Sequence, residues 1–294
     1  MESGTGVYAS ILNGLTAHAA RSNPQLAVEA LRSGIRTLDR AGVKYRLDGA
    51  TLYVNDDSDA SRKAMYELIL SYSQALEEAH GVNETWKELK IVMAKVLGSS
   101  RDAIREYDIE IPVFRCSAEY QTLDTLFGFN SGDFRTRGWF SDPILITNKK
   151  VVFPKGGNPI EVPFNAIATI GREVYVGYVT DVRKGIVRAI DYQIREGGMS
   201  CAVIVAKEEL MKDLMDIIRI IRADYRRLSL NEVKALVELY GGTSPAMLSE
   251  KTGLAPTEAL LAFRRLRQLN YCDNTGHFTS YGINAYIEVM QAKQ

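Results

Sequence analysis

The chain has 294 residues and no net charge, because 36 lysines and arginines balance 36 aspartates and glutamates. A composition of 46% hydrophobic and 24% charged residues supplies the cores of two or three domains, and no region has the excess of one charge that marks a partner of nucleic acid or anionic membrane. The three cysteines lie far apart without CxxC spacing, which argues against a zinc motif or a disulfide framework.

No targeting signal is recognisable in the N-terminal sequence. It lacks the basic and apolar stretches of a signal peptide, and no apolar run in the chain reaches the roughly 20 residues that span a bilayer. We therefore expect a cytoplasmic protein with reduced thiols and no transmembrane segment.

Residues 1–108 are predicted to form a mainly helical α+β domain. Capping residues and glycines delimit three helices, which begin near Pro24, Ser58 and Asn83 and stop at Gly42, Gly81 and Gly98. Between the first two, Asp48-Gly49 separates two apolar runs and predicts a tight hairpin turn. Asp56, Asp57 and Asp59 offer oxygen ligands but lack the spacing of a calcium loop, so we expect a solvated helix N-terminus.

Residues 109–226 are predicted to form a β module that ends in a helix. A three-strand meander is indicated by alternating apolar residues at Ile144, Ile146, Val151, Phe153, Ile160, Val162 and Phe164. Further strands are predicted at 174–176, 186–195 and 199–206, with a hairpin turn at 196–198. Residues 207–225 then carry an amphipathic stripe of Leu210, Leu214, Ile217, Ile218 and Ile221. This order resembles a pleckstrin-homology-like module.

Such modules are familiar as phosphoinositide binders, a function that needs clustered basic residues to hold phosphates. Here Lys149, Lys150 and Lys155 are separated by glycine, asparagine and proline. The sequence therefore favours a protein-binding or architectural role for this module.

Residues 227–294 are predicted to form a winged helix. Helices are expected at 230–240, after Ser244-Pro245, at 256–269 and from Thr279 or Ser280 to Met290, with a wing hairpin at 271–278. A recognition helix reads bases mainly from its N-terminal half, where Ala255 to Ala259 offer no arginine, lysine, asparagine or glutamine. The wing has no arginine or lysine for phosphates either. We therefore expect a protein contact here and no sequence-specific nucleic-acid binding.

Catalytic and cofactor motifs are not evident. His18, His80 and His277 have no nucleophile pattern beside them, and the GFNSG run at 128–132 and the paired glycines lack the setting of a phosphate-binding loop. We expect no enzyme activity, no cofactor and no metal site.

Several motifs follow one another in a characteristic order from Phe114 onward. These are RGWFSDPILITNKKVVF and IEVPFNAIATIG in the β module, then LNEVKALVELYGGTSPAMLSEKTGLAPTEALLAFRRLRQLNY and TSYGINAYIEV. In this order they resemble the archaeal taxis adaptor family CheF. The closest matches are Leu239, Tyr240, Gly242, Ser244, Thr279 and Gly282. Residues 1–108 lie outside the resemblance.

The resemblance implies a non-catalytic adaptor that receives the phosphorylated response regulator CheY at the cytoplasmic face of the archaellum motor. It also implies a homodimer formed through the β region, to which the apolar strands at 186–194 and 201–205 would contribute. Two alternatives remain open at this stage: a DNA-binding transcriptional regulator with an N-terminal sensor domain, and an adaptor of the membrane-trafficking type.

The regulator-binding surface is expected on the C-terminal domain, around its third and last helices. Leu260, Leu261, Phe263, Leu266 and Leu269 crowd one helix, and Ile283, Tyr286, Ile287 and Met290 form a stripe on the other. We expect Tyr286 and Met290 at the centre of the interface and Arg264, Arg265 and Arg267 at its rim. The alternative is that Tyr286 and Met290 belong to the domain core.

Overall fold

The computed structural model describes residues 3–123, 138–155, 157–174, 185–194 and 198–291. Helices dominate the N-terminal part, and several antiparallel sheets follow them, which confirms the predicted α+β class. The chain divides into two compact units, Met1–Arg222 and Ala223–Gln294. The helical region and the sheets therefore share one unit, although the sequence assigned them to separate domains.

The first unit begins with a helical layer and one hairpin. Its elements are α1 Gly4–Ser22, α2 Pro24–Ala41, β1 Tyr45–Asp48, β2 Thr51–Val54, α3 Asp59–His80, α4 Val82–Ser99 and α5 Arg101–Glu106. Asn23 caps α2 by accepting a hydrogen bond from the Leu26 N–H at 3.0 Å, and Gly42 ends it in the left-handed conformation. These boundaries agree with the capping signals in the sequence.

The hairpin turns one residue later than predicted. Asp48 pairs with Thr51, so Gly49 and Ala50 form the loop, and Gly49 has φ +61°. A two-residue turn that begins in the left-handed region favours glycine at its first position. Asp48 therefore stays in the strand.

The acidic cluster does more than lie in solvent at a helix start. Asp57 accepts hydrogen bonds from the N–H groups of Gly4 at 3.1 Å and Thr5 at 2.8 Å, while Ser58 caps α3. The first N–H groups of a helix have no partner within that helix. Asp57 lies just before α3 and thus supplies hydrogen-bond acceptors to the first N–H groups of α1.

Two four-stranded antiparallel sheets follow the helices. Their strands are β3 Pro112–Cys116, β4 Glu119–Leu123, β5 Ile144–Thr147, β6 Lys150–Phe153, β7 Ile160–Pro163, β8 Ile167–Glu173, β9 Ile186–Gln193 and β10 Met199–Ala206. The orders are β3-β5-β6-β7 and β4-β10-β9-β8, which confirms the predicted meander as β5 to β7. Val174 lies outside β8, and residues 175–184 and 195–197, which include other predicted strand and turn positions, lie outside the described residues.

The strands that suggested a homodimer lie in the interior of the second sheet. β9 is flanked by β8 and β10, and β10 is flanked by β9 and β4. Most of their residues are buried. Their apolar character is thus explained by the protein's own core, and neither strand has a free edge.

The helix after the sheets is α6 Glu208–Arg226, as predicted. Its buried face is rotated about the helix axis relative to the predicted apolar stripe. The buried residues are Met211, Leu214, Met215, Ile218 and Ile221, whereas Leu210 and Ile217 are only half-buried. Methionine fills irregular gaps well, and it was not counted in the predicted stripe. The end of this helix contains the boundary between the two compact units.

The C-terminal unit is a small helical domain. It contains α7 Leu230–Tyr240, a 3-10 turn Pro245–Met247, α8 Leu248–Thr252, α9 Pro256–Gln268 and α10 Ser280–Gln291. Its core is formed by α7, α8 and α9 with Tyr271, Cys272 and Ala285. The predicted wing hairpin is reduced to a single antiparallel bridge between Cys272 and Phe278.

Candidate partner-binding surface of the C-terminal unit

The third helix of the C-terminal unit, α9, has one face in the core and one in solvent. Phe263, Leu266 and Leu269 are buried, whereas Leu260 and Leu261 are 66% and 46% exposed. The helix therefore carries more apolar surface than its own core uses. Glu258 accepts a hydrogen bond from the Ala255 N–H at 3.0 Å, so an acidic side chain occupies the first turn.

The last helix, α10, is positioned by close contacts with α7 and the wing. Tyr286 stacks on Tyr240 with ring centroids 3.7 Å apart and planes 10° apart. At Gly282, a Cβ atom would lie 1.9 Å from the carbonyl oxygen of Tyr271. Thr279 caps the helix by accepting a hydrogen bond from the Gly282 N–H at 3.2 Å. These contacts fix which face of α10 is turned outward.

The outward face of α10 is an apolar patch made of Ile283, Ile287 and Met290. These residues, spaced by four and three positions, are 41%, 45% and 39% exposed. Tyr286 is half-buried and packs against the core, so it belongs with the core on its stacked side. Of the two residues expected at the centre of an interface, the structure thus leaves Met290 exposed and places Tyr286 largely inside the domain.

The three arginines of α9 do not form one rim. Arg265 is half-buried, lies 4.5 Å from the centroid of the Tyr225 ring and donates a hydrogen bond to the Tyr225 carbonyl oxygen. That arginine is committed to packing within the C-terminal unit, which corrects its predicted role. An α-helix turns by about 100° per residue, so adjacent arginines cannot all face one partner.

Arg264 and Arg267 remain exposed and have no acidic partner within the part of the chain that the structure describes. They line an open groove together with the amide side chains of Gln268, Asn270 and Asn274 and the carboxylate of Asp273. Arg267 also lies 5.9 Å from the centroid of the Phe263 ring. Asp273 offsets part of the positive charge of this groove, and the two guanidinium groups can still donate to the carboxylates of a partner.

The wing carries an acidic residue at its base. Asp273 accepts hydrogen bonds from the Thr275 hydroxyl at 2.6 Å, the Thr275 N–H at 2.8 Å and the His277 N–H at 2.9 Å. These bonds, that of the hydroxyl first, lower the pKa of Asp273 to about 2. A carboxylate held ionised here repels the phosphates of a nucleic acid.

Two of the three lysines considered for phosphoinositide binding form ion pairs within the first unit, and the third, Lys155, lies 5.8 Å from the centroid of the Phe140 ring. Lys149 contacts Asp108 at 2.8 Å, and Lys150 contacts Glu161 at 2.9 Å and Glu110 at 3.4 Å. Their charges are therefore compensated by neighbours that are distant in sequence, which sequence spacing could not reveal.

Among the residues that the structure describes, no group of histidine, cysteine or acidic side chains is arranged to hold a metal ion. No helix in this part of the chain combines the length and apolarity that crossing a bilayer requires. The three cysteines are buried and unpaired, and burial, the main cause, raises the pKa of Cys116 to about 12.

The sequence did not predict a buried cluster of polar side chains around Glu77. Arg115 on β3 donates to both carboxylate oxygens of Glu77 on α3, at 2.9 and 2.7 Å, and Trp86 on α4 donates to the same carboxylate at 2.6 Å. Local patterns do not reveal this contact, because its members are up to 38 positions apart.

Comparisons with known proteins give no relative for this chain: no family model, curated protein or solved structure matches it. Function is therefore inferred from the residues and their geometry.

Proposed function

We propose that the chain is a non-catalytic adaptor of archaeal chemotaxis that links the phosphorylated response regulator CheY to the archaellum motor. Its partners would be CheY and cytoplasmic motor proteins. The observation that carries the proposal is the exposed apolar patch of Ile283, Ile287 and Met290 on α10. A helix face of this kind, with an apolar centre, is typical of a docking surface.

The charges of the same unit support an acidic partner. Arg264 and Arg267 are exposed and have no acidic partner among the described residues, and such exposed charges act chiefly on the rate of association. A regulator with an acidic surface would be steered toward α9 and α10. The motif resemblance of residues 114–294 to the CheF family supplies the identity of that regulator.

A DNA-binding regulator is the main competing function, and two observations weigh against it. Leu260 and Leu261 are exposed near the start of α9, and Glu258 and Asp273 place negative charge on α9 and the wing. Base edges and phosphates need hydrogen-bond donors and cations at these positions. We therefore assign the C-terminal unit to protein contact.

The proposal is tested by the affinity of the full chain for CheY when Ile287 is replaced by aspartate. Ile287 is exposed, so Ile287→Asp should fold normally and weaken regulator binding at least tenfold. Leu230→Asp, at a position on α7 that is 72% exposed, serves as the matched control on another helix of the unit. Unchanged affinity of a folded Ile287→Asp variant would remove α10 from the interface.

A further inference from the structure

Among the residues that the structure describes, one edge of the hairpin of β1 and β2 is covered and the other is open. On the β2 side, Asn13 of α1 acts like a neighbouring strand: its amide oxygen accepts from the Leu52 N–H at 2.8 Å and its amide nitrogen donates to the Leu52 carbonyl at 3.1 Å. The other edge is β1, whose residues are largely exposed.

The contact with Asn13 also determines which way the backbone of β1 points. In antiparallel pairs, residues alternate between those that exchange backbone hydrogen bonds and those that do not. Leu47 lies opposite Leu52, and Leu52 directs its N–H and carbonyl away from β1 toward Asn13. The N–H and carbonyl of Leu47 must therefore point away from β2, toward the open edge.

The side chains of β1 are arranged in a self-complementary order. Arg46 and Asp48 flank Leu47, which is 40% exposed. If a second β1 runs antiparallel with Leu47 opposite its counterpart, each Arg46 lies opposite an Asp48 of the other copy. The two leucines then pair, and both outward N–H groups find carbonyl partners.

We propose that two copies of the chain associate through β1, in an antiparallel register centred on Leu47, so that the two hairpins form one four-stranded sheet. Two-fold symmetry repeats the Arg46–Asp48 pair on both sides of the axis. This surface lies in residues 1–108 and does not depend on the proposed regulator function.

Charge exchange tests this register directly. Asp48→Arg places arginine opposite Arg46 at two symmetric positions, and the dissociation constant of the dimer should rise at least about tenfold. The double variant Arg46→Asp/Asp48→Arg restores both pairs and should return the constant to near the original value. Glu78→Arg, an exposed site on α3, is the matched control. Sedimentation equilibrium of the full chain, at concentrations up to about 1 mM, measures each constant.

Disulfide cross-linking through a cysteine at the symmetry axis tests the register independently. The substitution is small and should barely perturb the fold. Paired residues that exchange hydrogen bonds have Cα atoms about 5.5 Å apart, within the range of a disulfide. Leu47→Cys should form a covalent dimer on mild oxidation, and Tyr53→Cys, with 42% exposure on β2, should not. The three native cysteines are buried, so background cross-linking is low.

The expected result is a dimer that Asp48→Arg weakens, the charge exchange restores and Leu47→Cys traps. A wild-type chain that stays monomeric at all concentrations overturns the proposal. So does a dimer that Asp48→Arg leaves unchanged, or a folded double variant that fails to regain affinity, because either outcome places the contact elsewhere or pairs this edge with a different segment.

Discussion

Arg115 and Glu77 form an ion pair 2.7 Å long that joins the first sheet to the helical layer. Their side chains are only 14% and 7% exposed, and Trp86 donates to the same carboxylate. The contact is one of those that join the predicted first and second domains, which share one compact unit. A buried charge tolerates little disruption, because the remaining partner is left unpaired away from water.

Removing one member of this pair should destabilise the first unit strongly. We expect Arg115→Ala to lower the free energy of unfolding by about 3–5 kcal/mol, measured by urea titration. Arg188→Ala removes a comparable pair whose partner Glu173 is 83% exposed, and it should cost less than about 1 kcal/mol. Equal effects of the two variants would mean that the buried pair does not join the layers.

Substitutions by aspartate should destabilise the C-terminal unit more at Tyr286, which packs against the core, than in the exposed patch of α10. Tyr286→Asp breaks the stack on Tyr240 and places a charge against the core, so it should lower stability by about 2–4 kcal/mol. Met290→Asp, at a position that is 39% exposed, should change stability by less than about 1 kcal/mol. Thermal unfolding of both variants checks this, and a stable Tyr286→Asp would show that the stack contributes little.

The close approach at Gly282 gives a second stability test. A methyl group at that position would overlap the carbonyl of Tyr271, so Gly282→Ala should displace α10 and destabilise the C-terminal unit by about 1–3 kcal/mol. Gly242→Ala is a useful contrast, since nothing lies within 4 Å of its added atom and only its φ of +89° opposes the change. A fully stable Gly282→Ala would refute the close contact.

Asp273 makes the wing sensitive to acid. Its pKa in the folded chain is about 2, below the value of about 3.9 for a free aspartate, so its hydrogen bonds favour the folded wing above that higher value. This contribution is lost as the pH falls from about 4 toward 2. Thr275→Ala removes the hydroxyl hydrogen bond that lowers the pKa of Asp273 most, so this pKa should rise, as followed by carboxyl NMR. An unchanged pKa would contradict the assigned hydrogen bond.

Nucleic acid binding should be weak and indifferent to sequence. We expect dissociation constants no lower than about 10⁻⁶ M at physiological salt, rising further as the salt concentration increases. Gel-shift titrations with unrelated duplexes of equal length test this. A nanomolar footprint at one site would favour the DNA-binding alternative.

Local signals in the sequence predict most elements of this fold. Asn23 caps its helix as expected. Ser229, which was not singled out beforehand, forms a full capping box with Glu232. Alternating apolar residues locate the strands of the meander. These features depend on neighbours a few positions apart, which a single sequence displays.

Long-range contacts account for what the sequence did not reveal. Arg265 resembles its neighbours in composition but packs on Tyr225, 40 positions away, and Asp57 caps a helix that begins 53 positions earlier. The exposed half of α9 was foreseen as surplus apolar surface, yet only the fold could assign Leu260 and Leu261 to it. Partner identity comes from motif resemblance and stays a prediction.

The most direct test of the adaptor proposal is the affinity of the full chain for CheY in its phosphorylated and unphosphorylated forms, measured by calorimetry at two salt concentrations. We expect tighter binding of the phosphorylated regulator, lost in Ile287→Asp. Arg264→Glu/Arg267→Glu should weaken binding more at low salt than at high salt. Equal affinity for both forms of the regulator, or no binding to either by a folded chain, would contradict the proposal.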